Sequence, residues 1–129
     1  MAKAWLGIDY GERRVGVAVA EGGVKVARPL VTLPNDPSIV DRLKDMMAHY
    51  GATTLVVGRP RGLDGQITAQ TAAAAAFAVG LQDLGLSVQM VDEAVTSEVA
   101  AAAVGPNAPK GAVDAAAAAI ILQDYLDGL

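Results

Sequence analysis

The stretch AWLGIDYGERRVGVAVA, residues Ala4–Ala20, decides how this chain is read. Ala4–Asp9 is apolar until it ends on a carboxylate, and Val15–Ala20 is apolar again. Between them Tyr10–Arg14 carries Gly11 and two arginines. Two buried strands joined by so short a turn predict a β-hairpin. Asp9 then stands at the C-terminal end of a buried strand, where an unmatched carboxylate is costly. In α/β proteins that edge of the sheet is where functional sites gather, so Asp9 is the first candidate site residue.

Outward from the hairpin, Val24–Leu33 reads as a third strand. Pro34-Asn35-Asp36-Pro37 then breaks the pattern. Asp36 as N-cap and Pro37 at the first helical position predict a helix. Ile39, Leu43, Met46, Met47 and Tyr50 recur along it at helical spacing, and Gly51 ends it. Thr53–Val57 is a β-branched apolar run expected to form a central strand, and Gly58–Gly65 a loop. Gln66–Leu84 is an alanine-rich helix closed by Gly85, and Ser87–Val91 is the last strand. A helical region follows from Thr96 to Leu126, interrupted at Gly105-Pro106-Asn107-Ala108-Pro109. The order β-β-β-α-β-α-β-α predicts an α/β fold, a mixed sheet with helices on both faces. The alanine runs 72–76 and 115–119 are read as helix propensity alone.

Composition limits the alternatives. A chain of 129 residues, 53% hydrophobic and 19% charged, suits one folded domain rather than two or a disordered chain. There is no Cys, which removes disulfides, zinc-thiolate sites and thiol nucleophiles, and fits a reducing cytoplasm. No signal peptide is expected at the N-terminus, and no charge-free apolar run reaches about 18 residues, so no membrane partner is expected. The net charge of -4 has the wrong sign for phosphate contacts, so the local arrangement of charge must decide.

The acids supply that arrangement. Asp92 and Glu93 follow Val88-Gln89-Met90-Val91, and Asp114 opens the apolar helix Val113–Leu122. If the first, fourth and last strands run parallel, Asp9, Asp92 and Glu93 meet at one sheet edge, and the last helix can bring Asp114 there. Carboxylates at close range repel one another unless cations neutralise them. Hard oxygen ligands suit Mg²⁺ or Mn²⁺, and two ions about 3.5–4 Å apart serve phosphodiester cleavage. Taken singly, Asp9 could cap the turn, Asp92 and Glu93 could be solvated, and Asp114 could complement the helix dipole.

Four segments in order resemble the YqgF family of Holliday-junction resolvases and pre-16S rRNA processing nucleases. They are Gly7-Ile8-Asp9-Tyr10-Gly11-Glu12-Arg13-Arg14-Val15-Gly16-Val17-Ala18, then Val56-Val57-Gly58-Arg59-Pro60 through Asp64-Gly65. Val91-Asp92-Glu93 with Thr96-Ser97 follows, and Asp114 with Ala117-Ala118 and Ile121–Leu126 closes the set. The resemblance spans nearly the whole chain. It implies one RNase H-like nuclease domain over 1–129, with a five-stranded mixed sheet and helices on both sides. It also implies that Asp9, Glu93 and Asp114 form an acidic triad, with Asp92 either a further metal ligand or a loop brace. The chain departs from the family at Ala94, where the family has Arg, and before Asp114, where a basic loop is reduced to Lys110. Arg59 and Arg61 stand where the family has aliphatic residues.

Among the ten basic residues, Arg13, Arg14, Arg59, Arg61 and Lys110 fall in segments expected on the acidic rim. With Thr96 they form the expected nucleic-acid contacts, Arg59 and Arg61 compensating for Ala94. Tyr10 either packs or stacks on a base, Trp5 and Phe77 are core or partner-facing, and His49 is a surface residue. The expected activity is metal-dependent phosphodiester hydrolysis, processing the 5′ end of pre-16S rRNA. Resolution of branched DNA, whose two symmetric cuts would need a homodimer, is the second reading. A weakly catalytic ribosome- or RNA-binding module, and a nucleotide-binding protein like actin and the sugar kinases, are further alternatives. The last of these needs two such domains.

Overall fold

The hairpin lies at the centre of the sheet. In the computed structural model, which describes residues 3–61, 67–94, 104–107 and 111–129, β1 (Trp5–Tyr10) pairs antiparallel with β2 (Arg14–Ala20). That register sets Asp9 opposite Gly16. β3 (Arg28–Pro34) adds antiparallel to β2. On the other side β4 (Thr54–Arg61) and β5 (Val88–Ala94) add in parallel, giving the order β3-β2-β1-β4-β5. The described helices are α1 (Ile39–Tyr50), α2 (Ala69–Asp83) and α3 (Ala112–Asp127).

Strand alternation sorts the side chains into two layers. Leu6, Ile8, Val15, Val17, Val19, Leu55 and Val57 face α1 and α2, meeting Ile39, Leu43, Ala78 and Leu81. Trp5, Ala18, Ala20 and Val56 face α3, meeting Ala118, Ile121, Leu122 and Leu126. Each fully buried Leu or Ile contributes roughly 1.5–3 kcal/mol, so both layers matter to stability. The mixed five-stranded sheet with helices on both faces is the fold the sequence predicted. Trp5 is a core residue, and His49 is exposed.

Several boundaries differ, each for a visible reason. β3 begins at Arg28, not Val24. Residues 24–27 have no strand neighbour; instead the Gln123 amide donates to the Lys25 carbonyl at 3.1 Å and accepts from the Ala27 N–H at 2.9 Å. Helix α1 begins at Ile39 rather than beside Asp36, because the Asp36 carboxylate is engaged earlier by the Ser38 N–H and hydroxyl. The residues 58–61 are strand rather than loop, because parallel pairing with β5 continues through Arg61 opposite Ala94. The same pairing puts Asp92 and Glu93 inside β5 instead of just beyond it. Helix α2 starts at Ala69, where Thr68 and Thr71 cap each other reciprocally.

Three glycines let α3 lie directly on the sheet. A Cβ at Gly7 would stand 2.6 Å from Leu122 Cβ and 2.7 Å from the Ala118 carbonyl oxygen, and one at Gly58 would stand 2.8 Å from Ile121 Cγ1. A Cβ at Gly16 would run into the Asp114 carbonyl group and lie 2.9 Å from the Ala115 nitrogen. Facing this seat, α3 buries the small residues Ala115–Ala118. The second alanine run therefore has a packing role beyond helix propensity.

The seat is testable. At Gly16 the obstacle is backbone, which cannot swing aside, whereas at Gly58 it is a flexible isoleucine end. We expect Gly16→Ala to destabilise the fold by about 1–3 kcal/mol and Gly58→Ala by less, measured by urea unfolding. Equal effects at the two positions would count against the backbone contact.

Candidate active site

Two carboxylates meet where β1 ends and α3 begins. Asp9 alternates onto the α3 face of β1, following Trp5 and Gly7. Asp114 lies in the first turn of α3, three residues after the N-cap Gly111. Because Gly16 is both the cross-strand partner of Asp9 and the residue under the Asp114 backbone, the register of the hairpin sets where Asp114 stands.

The electrostatics report that closeness. The Asp9 carboxyl is pushed up from 3.8 to about 6, first by burial and second by the negative charge of Asp114. Asp114 is itself held by Arg14, whose Nε–H donates to Asp114 Oδ2 at 2.8 Å. The guanidinium is about half exposed, so this ion pair adds about 1 kcal/mol or less to stability. Its effect is to hold Asp114 in position. Arg14 was expected to contact phosphate; the structure adds its bond to the acid.

The other expected residues divide clearly. Arg59 and Asp92 face each other across β4 and β5, with Arg59 Nε 2.8 Å from Asp92 Oδ1. Both alternate onto the layer of Val57, Val88 and Met90, the opposite side of the sheet from Asp114. The charge of Asp92 is thus matched at that position. Arg13 is exposed on the β1–β2 turn. Glu93 and Arg61 are described in main chain only, in register with Pro60 and Ala94 at the ends of β5 and β4. Thr96 and Lys110 lie outside the described residues. Tyr10 turns to the α2 layer and stacks on Phe77 with ring centroids 4.3 Å apart.

Asp9 and Asp114 offer hard oxygen donors of the kind that hold Mg²⁺ or Mn²⁺. Among the described residues no group of three or more acids or imidazoles gathers at metal-holding distance. The pair therefore fits a cation in chemistry and charge and would need a further ligand. Sequence reasoning missed Gly16 and Asn35. Gly16 had a signal, a glycine inside a strand, which marks close backbone approach. Asn35 was read only as part of the break that ends the third strand. Its N–H donates to the Arg13 carbonyl at 2.9 Å and its Nδ2 to the Gly11 carbonyl at 2.8 Å, fixing the hairpin turn.

A raised Asp9 pKa has a definite signature. The folded chain holds this proton more tightly than the unfolded chain, so metal-free protein loses stability as pH rises from about 4 through about 6. Above that window the loss is constant, at most about 3 kcal/mol. In EDTA, Asp9→Asn is expected to exceed wild type in stability near pH 7.5 and to lose that advantage toward about pH 4, read by urea unfolding. A difference independent of pH would contradict the shift.

Comparison with known proteins follows the same lines. The sequence profile of a family described as "RuvX: Holliday junction resolvase" matches residues 3–128. A protein of Chloroflexus aggregans named "Putative pre-16S rRNA nuclease" is 38% identical over 130 residues, covering 95% of this chain and 92% of that protein. One of the same name from Paraburkholderia xenovorans is 39% identical over 128 residues, covering 96% and 88%. Among solved structures, T. thermophilus RuvC in complex with a Holliday junction substrate superposes with a TM-score of 0.58 at 19% identity, covering 98% of this chain and 94% of that one. A second Thermus thermophilus RuvC structure gives 0.55 at 18%, covering 97% and 95%. At that identity the likeness is one of fold, and the fold is RNase H-like. With its profile matched from one end to the other and relatives alike over nearly their full length, the chain belongs to the RuvX family.

Proposed function

We propose that this protein is a divalent-metal-dependent nuclease that hydrolyses phosphodiester bonds in nucleic acid, with Asp9 at the centre of its site. The observation that carries this is the Asp9–Asp114 pair: a partly buried carboxylate pushed up to about 6, beside a second carboxylate, at the edge of an RNase H-like sheet. Such a pair is poorly tolerated alone and well suited to a cation. Asp9 and Asp114 would hold Mg²⁺ or Mn²⁺, and Glu93, in β5 beyond the neighbouring β4, is the third ligand in this assignment. When bound, the metal supplies a nucleophilic water and neutralises charge on the phosphate. The chain's own part is to exclude solvent around Asp9, to orient Asp114 through Arg14, and to present arginines to the strand. Asp92 is assigned to bracing β4 and β5 with Arg59, away from the cation.

For the substrate, the precursor of 16S rRNA is the first choice, supported by the names of the curated relatives. A four-way DNA junction is the second, supported by the family description and by the fold shared with RuvC; it would require a homodimer. No described helix is long and apolar enough to cross a membrane. The test is cleavage of a single-stranded pre-16S leader RNA and of a four-way junction, with Mg²⁺, Mn²⁺ or EDTA. We expect metal-dependent cutting of one of them, and a fall of about a thousandfold in Asp9→Asn and Asp114→Asn, several kcal/mol of transition-state stabilisation. Absence of metal-dependent cleavage on both substrates would refute the nuclease assignment. Wild-type rates in Asp9→Asn would refute the site.

A further inference from the structure

We propose that the small cavity between the β1–β2 turn, β3 and the start of α3 is a phosphate subsite, with Arg13 and Arg14 as its donors. It takes a backbone phosphodiester neighbouring the one that is cut. The proposal rests on the nuclease reading for its place in the reaction, but its chemistry stands on the cavity.

The cavity has a volume of about 290 Å³, and its walls among the described residues are Arg13, Arg14, Thr32, Leu33, Pro34 and Gly111. Two of these residues are guanidinium-bearing and none is acidic, in a chain whose net charge is -4. Arg14 is anchored to Asp114 through Nε alone. Its two terminal nitrogens have no partner among the described residues, which leaves the fork that binds phosphate oxygens in pairs. Arg13 is exposed and has no ion pair among the described residues.

The main chain beneath these arginines is fixed. The Gly11 N–H donates to the Arg14 carbonyl at 2.9 Å, and Asn35 closes the turn on Arg13 and Gly11. On the far wall the Thr32 hydroxyl donates to the Gly111 carbonyl at 2.5 Å. With the main chain fixed, only the two arginine side chains remain to be ordered when an oxyanion binds, and Arg14 is already held at Nε. Among its described lining residues Tyr10, Glu12, Ala69, Gln70 and Ala73, the larger cavity of about 610 Å³ offers a carboxylate and no cation, so it suits a phosphate less well. Arg14 also joins the two sites: the guanidinium that grips a phosphate in the cavity is the one that orients Asp114.

The test reads binding, without metal and without cleavage. Asp9→Asn protein in EDTA is titrated by fluorescence anisotropy with a single-stranded RNA and with a four-way DNA junction. Each is made as a series with one phosphate at a time replaced by a neutral methylphosphonate. We expect one linkage whose neutralisation weakens binding about tenfold, the size of a lost charge-assisted contact. Adding Arg13→Ala should erase that penalty and reduce the salt slope by about one, while Arg13→Lys keeps most of it. Urea unfolding of each variant separates this from misfolding. The nucleic acid that shows the Arg13-dependent linkage is the ligand. Penalties identical with and without Arg13 at every position, or no binding of either nucleic acid at low salt, would overturn the subsite. Failure of the nuclease reading shows elsewhere, as absent cleavage by the wild-type protein with Mg²⁺ or Mn²⁺.

Discussion

The contact between Gly16 and the first turn of α3 is the constraint on which the rest depends. Gly16 pairs with Asp9 across the hairpin, and the Asp114 backbone lies where a Cβ of residue 16 would be. A missing methyl group therefore sets the height of a helix above the sheet, and with it the separation of two carboxylates. Gly7 and Gly58 continue the seat under Ala118, Leu122 and Ile121, so the helix lies flush over β1, β2 and β4. Packing this close leaves no room for adjustment, because protein interiors are as dense as molecular crystals.

That geometry has an electrostatic consequence. Partial burial of Asp9, and then the approach of Asp114, disfavour the charge on Asp9, and the metal-free fold bears the cost. Natural proteins accept such local instability where a site requires it. Arg14 reduces the imbalance by pairing with Asp114, yet it sits at the margin of the site, half exposed, where an ion pair adds little to stability. Its position between an acid and a basic cavity makes it the link between catalytic and binding surfaces in the function proposed here.

The two faces of the sheet have separate tasks. The layer under α1 and α2 holds the larger apolar cluster, the Tyr10–Phe77 stack and the Arg59–Asp92 pair. The layer under α3 holds Asp9 and Asp114. Because side chains alternate along a strand, adjacent residues belong to different layers: Tyr10 packs on Phe77 while Asp9 turns toward Asp114. The same backbone fold occurs in RuvC at 19% identity, so the frame tolerates wide sequence change.

The sequence by itself determined the hairpin and the order of strands and helices, and it singled out Asp9 and Asp114 as candidates, because these are written in local periodicity and in residues placed at the ends of strands and helices. The resemblance in four ordered segments carried the family. Helix and strand limits were less legible. Asp36 met Ser38 before it could cap a helix, Gln123 replaced a strand neighbour for residues 24–27, and β4 continued past Gly58 because β5 was there to pair with it. Only the tertiary structure decided which acid stands beside which. Asp92 is next to Glu93 in sequence yet pairs with Arg59, and Asp114, a hundred residues from Arg14, is bonded to it. The reason is physical: such pairings follow from strand register and from how near a helix can approach a sheet, and both are set by contacts between residues distant in the chain.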